Sequence, residues 1–217
     1  MKKIIPILVV LLIGTPSLAQ SAQPLDALRG PVDSIISVLN DPQYQDSAKR
    51  DVEREKIWEI ICKLFDFTEM AKRTLARNWR SFTPQERKEF TQVFGEFLGN
   101  TYISKIQKDY KKEMVVYVKE EMVTDSKALV KTKIVREALE IPVNYGMKLR
   151  DGVWRVYDVN IEGVSLVKNY RTQFNKILLS KPPAHLIERL KKKIEQQKQG
   201  KAVSDQATLE VLLGAYC

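Results

Sequence analysis

Residues 114–162 read MVVYVKEEMVTDSKALVKTKIVREALEIPVNYGMKLRDGVWRVYDVNIE, and this stretch decides the fold. Val, Ile and Tyr are frequent, and apolar and polar residues alternate with a period of two, the pattern of half-buried strands. Four strands are predicted, over Met114–Val123, Ala128–Glu137, Leu139–Arg150 and Val153–Glu162. Asp151-Gly152 is a hairpin signal, because a two-residue turn of this kind needs positive φ at both positions. Thr124–Lys127 reads as a polar turn and Glu137-Ala138 as a tight connection. Short sequential links predict an antiparallel meander. One face is expected to carry Met114, Val116, Val118 and Met122, beside Val130 and Ile134, then Ile141, Val143, Tyr145 and Met147. The last strand is apolar on both faces, Trp154 and Val156 alternating with Tyr157, Val159 and Ile161.

Helical periodicity flanks the strands. Leu28, Val32, Ile35, Ile36 and Leu39 form a stripe that Asn40-Asp41-Pro42 ends. Two further helices are predicted over Ala48–Leu64 and Asp66–Trp79. Thr83-Pro84-Gln85-Glu86 is a capping box with proline at the first helical position, and its helix should run to about Tyr110. Gly95 and Gly99 on that helix would let another element approach closely. After the strands, Val164–Leu179 and a helix begun by Pro182-Pro183 are predicted. Helices, then strands, then helices argue for an α+β fold rather than a wound parallel sheet.

The first 19 residues have the form of a secretory signal peptide: Lys2 and Lys3, the apolar run Ile4–Ile13, then small residues up to Ala19. Cleavage is expected after Ala19, with Ala22 as the second choice. The run is shorter than the ~20 residues a membrane span needs. Residues 20–196 are expected to form the domain, and 197–217 a polar, flexible tail whose apolar Leu209–Leu213 has no assigned role. Cys62 and Cys217 do not make a disulfide framework, and Cys62 is expected to be buried.

The net charge is +9, falling to +7 once Lys2 and Lys3 leave, which points to anionic lipid surfaces or acidic partners. Nucleic acid is disfavoured, because the cations are interspersed with acids, as in Arg50–Lys56, without an arginine-rich block. His185 is the only histidine, so a histidine metal cluster is excluded. No phosphate loop or nucleophile elbow is present. Asp158 is the one candidate for a buried base, by analogy with small isomerases on cone-shaped α+β folds. The simpler reading has it facing solvent or bonded to backbone.

Three segments together resemble the MlaC family, also called the toluene-tolerance auxiliary family. They are Phe65-Asp66-Phe67-Thr68-Glu69-Met70-Ala71, then Trp79-Arg80 to Glu86 leading into Phe90–Tyr102, and Val156–Leu166; Asn169–Phe174 fits as well. The resemblance implies a non-enzymatic periplasmic phospholipid carrier with no cofactor beyond its bound lipid. It implies a cone-shaped fold, a curved four-stranded antiparallel sheet packed with helices around an apolar pocket. The partners it implies are an inner-membrane ABC-transporter complex with a lipid-binding subunit and an outer-membrane lipoprotein–porin complex. A hopanoid-related carrier of the same family and a lipid-independent periplasmic adaptor are the alternatives.

The pocket residues expected on this reading are Phe67, Met70, Leu75, Phe94, Phe97 and Leu98 from the helices. From the strands they are Val116, Val118, Val130, Ile134, Val143, Tyr145, Met147, Val159 and Ile161, about half of the whole set touching ligand. A one-residue register error would invert a strand's contribution. Lys131, Lys133, Lys148 and Arg150 are the expected cations of the pocket mouth.

Overall fold

The computed structural model describes residues 23–199 except Gln45 and Ala138. The expected signal peptide, Cys217 and the stretch 200–217 lie outside the described residues. Four helices come first: α1 (Pro24–Asn40), α2 (Arg50–Leu64), α3 (Phe67–Leu75) and α4 (Pro84–Asp109). A sheet of five antiparallel strands in sequential order follows: β1 (Met114–Thr124), β2 (Lys127–Arg136), β3 (Leu139–Arg150), β4 (Val153–Ile161) and β5 (Val164–Ser165). Helices α5 (Leu166–Leu178) and α6 (Pro183–Lys198) close the domain. The α+β meander is as expected, with one strand more than the four predicted.

Local chemistry accounts for most boundaries. The capping box at Thr83 forms in both directions, Glu86 N–H donating to Thr83 Oγ1 at 3.2 Å and Thr83 N–H to Glu86 Oε2 at 2.8 Å. Asp151 (φ 52°) and Gly152 (φ 76°) make the β3–β4 turn, both in the left-handed region. Glu162 (φ 51°) and Gly163 (φ 88°) make a second turn of the same kind, which creates the short β5 that periodicity missed. Helix α6 continues to Lys198, two residues past the expected edge of the domain.

Three expectations are corrected. Helix α3 was predicted to reach Trp79, but it stops at Leu75, and residues 76–81 form a 3-10 turn entered through Ala76 at φ 49°. The cause is tertiary: Arg171 on α5 donates from Nε and Nη2 to the Arg73 carbonyl, at 2.9 and 2.7 Å, capping the helix end. Cys62 is exposed, because α2 presents it on the face away from its packing stripe. The face assigned to the first half of β1 is inverted. A register shift between Tyr117 and Lys119 puts Val118 in a bulge, and Val115 rather than Val116 stands opposite the inward Ile134.

Helix α4 is the spine, packed by α6, α3 and α2, while α1 lies across α2 and the sheet. Gly95 and Gly99 serve the predicted close approach. The Phe67 ring lies where a Cβ on Gly95 would be 3.2 Å away, and the Trp58 ring where one on Gly99 would be only 2.5 Å away. The α2–α3 junction is tied to the sheet by Asp66 N–H donating to the Val156 carbonyl at 2.9 Å.

Candidate functional site

The buried apolar side chains do not form one continuous mass. A large cluster joins α3–α6 and the sheet; a smaller one holds Leu39, Ile57 and Ile103 with Ile35, Trp58 and Ile61 packed on it. Between them is a cavity of about 330 Å³, walled by members of both clusters. Its floor is the sheet, with Val115, Ile134, Ile141, Val143, Tyr145, Val159 and Ile161. Helices α1, α2, α3 and α4 supply the other walls.

Eight of the fifteen expected residues line it: Phe67, Met70, Leu98, Ile134, Val143, Tyr145, Val159 and Ile161. Leu75, Phe94, Phe97, Val130 and Met147 are buried in the main cluster instead. Phe94 and Phe97 turn toward α5, where their rings lie 5.5 and 5.8 Å from that of Tyr170. Val116 and Val118 are 42% and 49% exposed, on the wrong side of the bulged strand. Sequence reasoning missed Val32, Ile35, Ile36 and Leu39, which α1 turns to the cavity. Their stripe was visible, but periodicity does not say whether a buried face meets protein or a void.

The polar groups gather at one end. Lys105, Asp109, Glu113 and Arg136 are the charged lining residues, brought together where α4 ends, β1 begins and β2 ends. Arg136 binds this mouth into one unit, donating from Nε to Glu113 Oε1 at 2.6 Å and from Nη2 to the Asp109 carbonyl at 2.6 Å. Lys105 pairs with Asp109 at 3.5 Å. Burial alone would raise the Glu113 carboxyl, but hydrogen bonds from backbone N–H groups and the Arg136 guanidinium hold it below the usual range. Asn40 Nδ2 donates to the Tyr110 hydroxyl at 2.8 Å, closing α1 against the same corner. Deeper in, burial pushes the Tyr102 and Tyr145 hydroxyls up to about 12, so both stay neutral. Tyr145 is half-buried and lines the cavity.

None of the four expected mouth cations lines the cavity. Lys131 pairs with Glu121 at 2.9 Å, and Lys133 with Glu140 at 2.6 Å. Lys148 meets Glu69 at 3.2 Å and Arg150 meets Asp66 at 3.8 Å, at the far end of β3 from the mouth. Asp158 has the simpler of its two expected roles. Its Oδ2 accepts from Ser165 Oγ at 2.6 Å and its Oδ1 from Val167 N–H at 3.1 Å, so both oxygens hold the start of α5. Among the described residues there is no group of three His, Cys, Asp or Glu that could hold a metal ion. No described helix is long and apolar enough to cross a membrane.

The arrangement is an apolar chamber with its charged lining residues grouped at one end, suited to an amphiphile whose tail goes in and whose polar end stays with those charges. The family model described as MlaC protein matches residues 30–192. Among solved structures, the chain is similar to a phospholipid-binding protein from Ralstonia solanacearum in complex with a phospholipid, at a TM-score of 0.70 and 20% identity. That likeness covers 82% of this chain and 99% of the other and establishes a shared fold. No curated protein matches the chain.

Proposed function

The chain belongs to the MlaC family, and from that premise we propose that it is a non-enzymatic phospholipid carrier of the periplasm, moving lipid between the outer and inner membranes. The observation that supports this reading most is the cavity itself, an apolar void between two core clusters with its charges confined to the mouth. Its size of about 330 Å³ falls within the ~300–1,000 Å³ of ligand pockets. Acyl chains occupy the chamber and the phosphate-bearing head group stays at the Arg136 end.

Physical chemistry gives the reason for such a carrier. Exposing one CH₂ to water costs ~0.8 kcal/mol, so a 16-carbon chain costs about 12 kcal/mol and two chains roughly 24. Unassisted crossing of an aqueous compartment is therefore slow, and an apolar chamber removes that cost without any covalent step. Its partners at the two membranes are an inner-membrane ABC-transporter complex with a lipid-binding subunit and an outer-membrane lipoprotein–porin complex.

The test is denaturing extraction of the purified mature protein followed by lipid mass spectrometry. Stoichiometric phospholipid is the expected result. A hopanoid in its place would change the cargo and keep the carrier. Protein that is lipid-free and cannot be loaded would make it an adaptor whose apolar stripes only build a core.

A further inference from the structure

We propose that the cavity mouth docks directly on anionic bilayer surfaces through the α4–β1 loop. The inference rests on the carrier reading and adds where, and on what, the mouth is presented. Residues 105–113 contain four lysines and two acids. The acids are engaged within the mouth, Asp109 by Lys105 and Glu113 by Arg136. Lys108, Lys111 and Lys112 are exposed, and no ion pair to them occurs among the described residues. Lys112 holds φ at 63°, a conformation that glycine adopts at less cost.

Apolar side chains project at the same end. Ile106, on the cavity rim, is 37% exposed. Leu139, registered against Arg136, is 40% exposed, and Met114, which opens β1 directly after the loop, is 66% exposed. Single apolar tips set among lysines suit a lipid interface, where the tips enter the head-group region and each lysine gains from the surface charge. The core of a protein–protein interface has the opposite composition, poor in lysine and contiguous in apolar area. Charge complementarity and composition thus both select an anionic membrane over an acidic protein. Docked this way, the rim puts the cavity entrance against the bilayer, and an acyl chain passes inward without meeting water.

The experiment is vesicle flotation with lipid-loaded wild type and the triple variant Lys108→Gln, Lys111→Gln, Lys112→Gln. None of these three lines the cavity. Wild type should bind vesicles of phosphatidylethanolamine and phosphatidylglycerol, ignore pure phosphatidylcholine, and bind less as salt rises. Each lysine near such a surface contributes roughly a factor of five, so the triple variant should bind about 100-fold more weakly. A control at the far end of β3, Lys148→Gln with Arg150→Gln, should bind as wild type does. Equal binding by wild type and the triple variant would overturn the proposal. So would a lipid-loaded wild type that ignores anionic vesicles, even if the same lysines then prove to hold a protein partner. Lipid content is measured in every preparation. Loaded protein that does not dock refutes this inference alone, whereas protein that never carries lipid refutes the carrier.

Discussion

If the cavity is a ligand site, emptying it should cost stability and filling it with side chains should restore that stability. A void of about 330 Å³ that stayed rigid and dry would cost about 8 kcal/mol at ~24 cal/mol per Å³. Water relieves little of this, because the walls below the mouth are apolar. The net stability of a domain is only ~5–15 kcal/mol, so the penalty is of the order of the whole. Wall collapse reduces it, and a loss of at least about 3 kcal/mol on delipidation is expected, lowering Tm by roughly 6–12 °C in a domain of this size. Val143 and Val159 face each other's strands across the floor and both line the void. The double variant Val143→Phe with Val159→Phe should fill part of it. If the rings occupy about half, they return about 4 kcal/mol to the lipid-free form. Calorimetry of loaded and delipidated protein, with lipid mass spectrometry on both, reads the effect. The variant should carry little lipid, and its Tm should be insensitive to delipidation. Delipidated wild type as stable as loaded wild type would refute the reasoning, as would a destabilised variant that still retains full lipid.

Three further outcomes follow from the geometry. A photoreactive group at Val115 should label bound lipid and one at Val116 should not; the reverse pattern would show that the β1 bulge does not place the strand as described. Gly99→Ala forces a Cβ to 2.5 Å from the Trp58 ring and should cost about 1–2 kcal/mol net, overpacking outweighing the gain in helix propensity. Gly95→Ala, at 3.2 Å from Phe67, should cost less, and chemical denaturation that ranks the two the other way would contradict the packing. Burial alone would raise the Glu69 carboxyl, but the Lys148 hydrogen bond and the charges of Arg73 and Lys148 hold it below its ordinary value. Its contribution is therefore fully present above the unfolded glutamate pKa of about 4.3 and is lost as pH falls through the lower folded value. Urea midpoints should drop more steeply below about pH 4 in wild type than in Glu69→Gln, and parallel curves would rule out the coupling.

Most of the elements are readable from short-range chemistry. Thr83 and Glu86 cap α4 through contacts three residues apart, and Asp151-Gly152 turns β3 into β4 through its own backbone preferences, so both were legible without any fold. The strand texture of residues 114–162 settled the meander and, with the helices on either side, the α+β class. Tertiary structure decided everything that depends on a partner distant in the chain. Helix α3 ends at Leu75 because Arg171, 98 residues from Arg73, caps its carbonyl. The inward face of β1 hangs on a bulge, since Val115 and Tyr117 can be buried as readily as Val116 and Val118 and period-two alternation suits either face. Lys131, Lys133, Lys148 and Arg150 alternate as solvent-facing cations should, yet acids from other segments pair with them, and none lines the cavity. The cavity belongs to the same class. Apolar periodicity says that a residue leaves water, because burial is non-directional; only the packing of α1, α2 and α4 over the sheet says whether it then meets another side chain or an open space.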